Sequence, residues 1–510
     1  MGIIEGAKKK AAEFFSNSQT ARNLVLSQVV KYLEKDPEKN AMKIFELLKK
    51  GVDDPESKDR VDKVLKYYNE MPAVREYINK VLTNTNSNCL KKFFTNFFGN
   101  ATWYGIPRRE QMMLDHDAKI PFIMLISPAM RCNLKCTGCY AMNYDPNDDM
   151  PKEEVFRIVK EAKEMGIYIF TILGGEPFFT DYLIELFREN QDAYFITFTN
   201  GTLFNDEVAD ELSKLGNCMP IFSLEGFESD TDHRRGTGVF QSVMDGMDML
   251  KKRGVPFGVS AATGNHNVET VSSEAFVDMI MDKGALMIWY FAFMPIGDNP
   301  KGTIDMMLTP EQRIYIGRRA REIRSTKSIY TLDFFNDAPF VGGCIAGKFY
   351  CHINAKGDLE PCIFCHFATE NVLNRPLIDC FKNNELFKAI RKRQPYNDNL
   401  LKPCMMVDNP HMIREIVAES GAYSTDETSA MQINDAEFMA KIDKHAAEFT
   451  PFAEAAFEKD FNGTGNYRLS NFEKGNEKNV GKDNSAEEKK EHGHECGHCG
   501  GCGGHGHNHK

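Results

Sequence analysis

Phe122-Ile-Met-Leu-Ile126, followed by Ser127-Pro-Ala-Met-Arg-Cys132-Asn-Leu-Lys-Cys136-Thr-Gly-Cys139, is an apolar run that opens into a cysteine-bearing loop. Five apolar residues make a buried strand, so the three thiols leave from that strand's C-terminal end. In parallel α/β folds this is the edge at which sites are built. Further apolar runs follow at 167–173, 193–198, 219–224, 256–261 and 286–293. Amphipathic segments separate them, with Val155, Ile158, Val159 and Ala162 on one helical face. Thr309-Pro310-Glu311-Gln312 reads as a helix start, with a capping residue, a proline at the first position and Gln at the third. Six strand–helix units predict an α/β fold, its parallel sheet either open or an incomplete barrel.

The flanks differ from this core. Residues 1–110 read as a helical N-terminal domain: Leu26, Val29, Val30 and Leu33 share one helical face, as do Val61, Val64, Leu65 and Tyr68. That segment ends in KKFFTNFFGNATWYGI at 91–106, which reads either as packing onto the next domain or as a surface for lipid. The core is expected over 118–333, a cysteine-rich domain over 335–415 and a helical extension over 416–470. Residues 476–510 are expected to be a disordered, charged linker and a Cys/His/Gly-rich tail.

A net charge of −11 argues against a nucleic-acid-binding surface. No apolar run approaches the roughly 20 residues that span a bilayer, and the N-terminus lacks a secretory apolar stretch. A cytoplasmic protein is expected, with peripheral membrane contact as the variant that the aromatic segment would suit. Fourteen cysteines then call for a reason other than disulfides. Cys89 and Cys218 stand alone and read as core residues. The other twelve fall at 132–139, 344–404 and 496–502, a grouping that points to metal.

Three thiolates at short spacing would hold a four-iron cluster with one iron left open for a reactant. A zinc site would want a fourth Cys or His nearby, and none follows Cys139. The C-x3-C-x2-C loop after a first strand, with Leu173-Gly174-Gly175-Glu176-Pro177 at the end of the second, resembles the radical S-adenosylmethionine (SAM) superfamily. The resemblance implies a partial (β/α)6 TIM-like barrel in which Cys132, Cys136 and Cys139 hold a catalytic [4Fe-4S] cluster. It implies that Gly174, Gly175, Glu176 and Pro177 meet the SAM amino group, and that Asn200, Ser223 and Glu225 at later strand ends contact SAM. Arg235 resembles the arginine that pairs with the SAM carboxylate, and Met294-Pro295-Ile296-Gly297 the backbone that receives adenine. Many relatives carry an aromatic residue just before the last cysteine; here Gly138 stands there, with Tyr140 after it as the candidate ring.

Cys344-x12-Gly357-x4-Cys362 resembles the opening of a SPASM or twitch extension, which implies one auxiliary [4Fe-4S] cluster. Asn354-Ala-Lys-Gly357-Asp reads as a hairpin turn that brings Cys351 and Cys362 together. The expected ligands are Cys344, Cys351, Cys362 and Cys404, with Cys365 as the substitute for Cys404; a zinc site at Cys362 and Cys365 is the alternative. Cys380 lies in a helical stretch and reads as structural. Cys496, Cys499 and Cys502, among six histidines, form a further metal-binding candidate outside the catalytic site.

The family resemblance also implies a reaction. SAM is cleaved reductively with an electron from a low-potential donor of flavodoxin or ferredoxin type. The resulting 5′-deoxyadenosyl radical abstracts hydrogen from an unactivated carbon. A peptide or protein is the expected substrate, with a lipid acyl chain as the alternative. A non-catalytic metal-handling protein is the competing class, but it leaves the GGEP segment without a purpose.

Overall fold

A computed structural model describes residues 18–36, 39–44, 46, 55–141, 148–297 and 299–463. The tail cysteines Cys496, Cys499 and Cys502 and the linker before them lie outside the described residues.

All six expected strands form: β1 (Ile123–Ile126), β2 (Ile169–Ile172), β3 (Tyr194–Thr199), β4 (Cys218–Ser223), β5 (Gly258–Thr263) and β6 (Met287–Ala292). They pair in parallel and in sequence order, each returning through helices, as right-handed crossovers require. Helix Lys152–Glu164 buries Val155, Ile158, Val159 and Ala162 against the sheet. Helix Pro310–Thr326 begins with a full capping box, Thr309 and Gln312 each closing on the other's backbone. The architecture is the partial barrel expected.

The sheet does not end at six strands. β7 (Tyr330–Asp333) adds beyond β6, and β8 (Tyr350–Ile353) pairs in parallel with β1 on the opposite edge. β9 (Leu359–Glu360) then turns back antiparallel to β8. The cysteine-rich segment therefore continues the barrel sheet, and all the described residues belong to one compact unit.

The aromatic segment 91–106 packs against the N-terminal ends of the strands. It winds as a wide π-helix over Phe94–Tyr104. Asn96 Nδ2 donates to Ala193 O at 2.7 Å and Asn100 Nδ2 to Asp192 O at 2.8 Å, both just before β3. Phe93 meets Tyr194 edge-on at 5.6 Å, and Phe97 meets Phe122 at 6.4 Å. Of the two sequence readings, packing onto the next domain holds. Phe98 and Trp103 keep an exposed face, but the segment's amides and most of its rings close the barrel's foot. No described helix is long and apolar enough to cross a membrane.

Candidate active site

Residues 127–141 leave β1 and lie across the C-terminal ends of the strands. The glycines of the Gly174-Gly175 pair are what let them do so. A β-carbon on Gly174 would lie 2.3 Å from Ala129 O, and one on Gly175 2.2 Å from Arg131 O. The amides of Gly175 and Glu176 donate to those same carbonyls at 3.1 and 2.9 Å. Here the glycines seat the cysteine loop on the end of β2.

Glu176 departs from its expected position. Its carboxylate is buried and accepts from Asn200 N at 2.7 Å, Thr199 Oγ1 at 2.8 Å and Phe178 N at 3.1 Å. Burial pushes this carboxyl up to about 7, against the pull of those hydrogen bonds. It ties β2 to β3 and is not part of the cavity wall, and neither is Pro177, which starts a short 3-10 turn. Asn200, which Glu176 orients, does face the cavity. Its amide donates to Asn133 Oδ1 at 3.0 Å and approaches Cys132 Sγ at 3.7 Å.

Cys132, Cys136 and Cys139 line one cavity together with Tyr140, Gly174, Gly175, Asn200, Ser223 and Arg235. Arg234, which the sequence did not single out, lines it too and clamps the loop: its Nε donates to Thr137 O and its own carbonyl accepts from Thr137 N. Both arginines converge on one buried carboxylate. Glu225 Oε1 takes Arg234 Nη1 at 2.6 Å and Arg235 Nη2 at 2.6 Å. Two guanidinium groups against one carboxylate leave a positive surplus at the cavity wall, suited to an anionic group. Glu225 Oε2 is buried and has no hydrogen-bond partner among the described residues. Tyr140 holds its hydroxyl 3.5 Å from Gly174 O, and the ring of Phe293 lies over Gly138.

The second cysteine group needs one correction. The hairpin forms as expected, with Ile353 opposite Leu359 and His352 opposite Glu360. Continuing that register places Tyr350, not Cys351, beside Cys362, and the Tyr350 hydroxyl donates to Cys362 Sγ at 2.7 Å. Successive strand side chains alternate faces, so Cys351 points with Ile353 into the hydrophobic core, level with Met124 of β1. Its thiol is pushed up by burial alone.

Cys365, unlike Cys351, is within electrostatic reach of Cys344, Cys362 and Cys404. Burial pushes the Cys344 thiol up to about 11 and the Cys362 thiol up to about 12, and raises Cys365 and Cys404 well above their usual value. Cys362, Cys365 and Cys404 are each raised further by the charge of Cys344. Four thiols that would repel one another as thiolates fit a shared cationic centre.

A backbone device recurs at five of the seven candidate ligands. Cys132, Cys362 and Cys404 each accept, at sulfur, the N–H of the residue two positions on: Leu134 at 3.4 Å, Phe364 at 3.4 Å and Met406 at 3.3 Å. Ala141 and Ala346 provide the same stabilisation to Cys139 and Cys344. Such bonds favour the charged sulfur that a cluster needs. Cys89, Cys218 and Cys380 instead engage Asn86, Thr197 and Asn371, and are buried in the core. Among the described residues no three metal-binding side chains close on a point fit for a single ion.

Between the two groups runs a buried polar chain. Ser127 Oγ meets His352 Nε2 at 2.7 Å, and His352 Nδ1 meets Glu360 Oε2 at 2.7 Å. Burial would raise Glu360, but His366, His352 and Thr425 hold it below its usual range.

Residues 126–280 match the family model of the Radical SAM superfamily. The AdoMet-dependent heme synthase of Methanosarcina barkeri is 22% identical over 290 residues, 51% of this chain and 82% of that protein. The sporulation killing factor maturation protein SkfB of Bacillus subtilis is 24% identical over 273 residues, 52% of this chain and 65% of SkfB. The crystal structure of Streptococcus suis SuiB bound to S-adenosylmethionine superposes with a TM-score of 0.50 at 17% identity, over 65% of this chain and 87% of SuiB, a likeness of fold.

Proposed function

Residues 126–280 carry a radical SAM domain, and from that premise we propose that Cys132, Cys136 and Cys139 hold its [4Fe-4S] cluster, with SAM bound between Arg235, Asn200, Ser223 and the Gly174-Gly175 backbone. The observation that carries this is one cavity lined by all three thiols and those residues. Bound there, the cluster and SAM would supply reductive cleavage of the sulfonium C–S bond and a 5′-deoxyadenosyl radical able to take hydrogen from an unactivated carbon.

The chain's own groups have definable tasks. The positive surplus of Arg234, Arg235 and Glu225 suits the SAM carboxylate. Glu176 is a positioning residue that fixes Asn200 through its amide. Tyr140, Phe293 and Phe364 form apolar walls that keep water from the reacting carbon. Cys344, Cys362, Cys365 and Cys404 would hold one auxiliary cluster, and Phe364, between two of them, also lines the cavity. An electron donor of flavodoxin or ferredoxin type completes the system.

Peptide or protein modification is the substrate reading supported by the likeness to SkfB, a maturation protein. Lipid acyl-chain chemistry is the second reading, favoured by the apolar character of the cavity below the SAM site. Anaerobically reconstituted protein with SAM and dithionite should release 5′-deoxyadenosine. Replacing Cys132, Cys136 and Cys139 together with Ala should abolish that release; continued release by the triple variant would refute the assignment.

A further inference from the structure

The lumen side of the barrel carries accessible apolar surface. On β1, Met124 and Ile126 are buried, whereas Ile123 and Leu125 line the cavity and keep surface exposed to it. β3 repeats the pattern with Ile196 and Phe198. β6 does so with Trp289 and Phe291, set between the fully buried Ile288 and Tyr290. A barrel interior is ordinarily filled by interdigitating side-chain layers. Here the large side chains line a cavity instead.

The cavity is polar at one end only. The thiols, Asn200 and both arginines gather at the C-terminal ends of the strands, and below them Thr171, Ser260, Tyr350, whose hydroxyl is taken up by Cys362, and the indole N–H of Trp289 are the polar groups of the lining side chains. Ile123 and Ile196 mark the foot, in one cluster with Phe97 of the N-terminal segment and Phe122 just before β1. From Ile123 to Ile126 the strand rises roughly 10 Å. Below the SAM site the wall is thus mainly apolar, carried by Ile123, Leu125, Ile196, Phe198, Trp289 and Phe291.

We propose that this lumen takes a long saturated acyl chain, inserted tail-first toward Ile123 and Ile196, with its upper carbons beneath the SAM site. The inference rests on the radical SAM reading and takes up the second of its two substrate classes. A mainly apolar wall recognises methylene groups by desolvation, and it replaces few of the hydrogen bonds that a polar side chain makes to water.

Tryptophan emission tests this at the right place. The chain has two tryptophans, and Trp103 lies on the partly exposed N-terminal segment. The variant Trp103→Phe, cluster-loaded, leaves Trp289 as the sole reporter of the lumen wall. The probe is 9,10-dibromostearate, which should quench most of that emission. Unbrominated stearate should not quench, and should reverse the quenching by competition. Ala262→Leu, which fills the lumen from β5, or Ile196→Phe, which fills it from β3, should weaken the effect roughly tenfold in a variant with unchanged circular dichroism. Absence of quenching, quenching that persists in both filled variants, or equal quenching by a brominated-tyrosine peptide would overturn the proposal. Release of 5′-deoxyadenosine without substrate is assayed on the same samples. It tests the radical SAM reading independently, since it does not depend on what enters the lumen.

Discussion

Phe293 occupies the space that a side chain on Gly138 would need: a β-carbon built on Gly138 would lie 2.6 Å from Phe293 Cζ. Gly138 also sits at φ +65°, in the left-handed region. The missing aromatic before Cys139 is therefore matched by a ring delivered from the end of β6, in the cavity wall beside Tyr140. Gly138→Ala should distort the loop and lower SAM affinity by about tenfold or more while leaving the fold intact, since the strain is local to the loop. Equilibrium dialysis with labelled SAM and an iron count check it.

Ligand identity can be read from iron content. Reconstituted protein lacking the tail is expected to bind about eight irons, and Cys365→Ala about four. Cys351→Ala should keep all of them, because that thiol faces Met124 and the core. The opposite pattern would restore the ligand set that the SPASM-like resemblance and the hairpin turn led one to expect.

Glu176 should leave a signature in the pH dependence of stability. Its carboxyl, raised from 4.5 to about 7, keeps a proton in the folded chain that the unfolded chain has already released. The native state then binds more protons between those values, so stability falls as pH rises from 5 to 7, by up to about 3 kcal/mol. Glu176→Gln should flatten that slope. Urea midpoints at pH 5 and 7.5 for both proteins test it.

Asp408 connects the auxiliary group to the core. Its carboxylate accepts the amide of Cys404 at 3.0 Å and pairs at 3.4 Å with Arg313, whose guanidinium lies between Phe335 and Phe449. Asp408→Asn should leave Arg313 buried without its counter-charge and cost about 3–5 kcal/mol. Removing a negative charge beside Cys404 should also raise the auxiliary cluster's reduction potential. Thermal melts and an EPR-monitored redox titration report the two effects separately.

Deleting residues 480–510 should lower total bound metal but leave 5′-deoxyadenosine release unchanged. Among the described residues, every wall of the catalytic cavity comes from residues 123–364.

Much of this protein was legible in the chain itself. Strand periodicity and six repeated units specify a parallel sheet with crossover helices, because each buried parallel strand must be an apolar run and each crossover helix must be amphipathic; the barrel form came from the family resemblance. The C-x3-C-x2-C loop identifies the cluster-binding edge, since local spacing alone brings three thiols together. What the tertiary structure decided were relations between distant segments. The register of the β8–β9 hairpin turned Cys351 inward; the alternation of Tyr350, Cys351, His352 and Ile353 hinted at this, but only a known pairing says which face is the core. The Glu176 carboxylate went to β3, the 91–106 aromatics went to the barrel's foot, and Phe293 came to lie over Gly138. Each of these outcomes depends on which backbone groups meet across strands, and that is a property of packing rather than of local sequence.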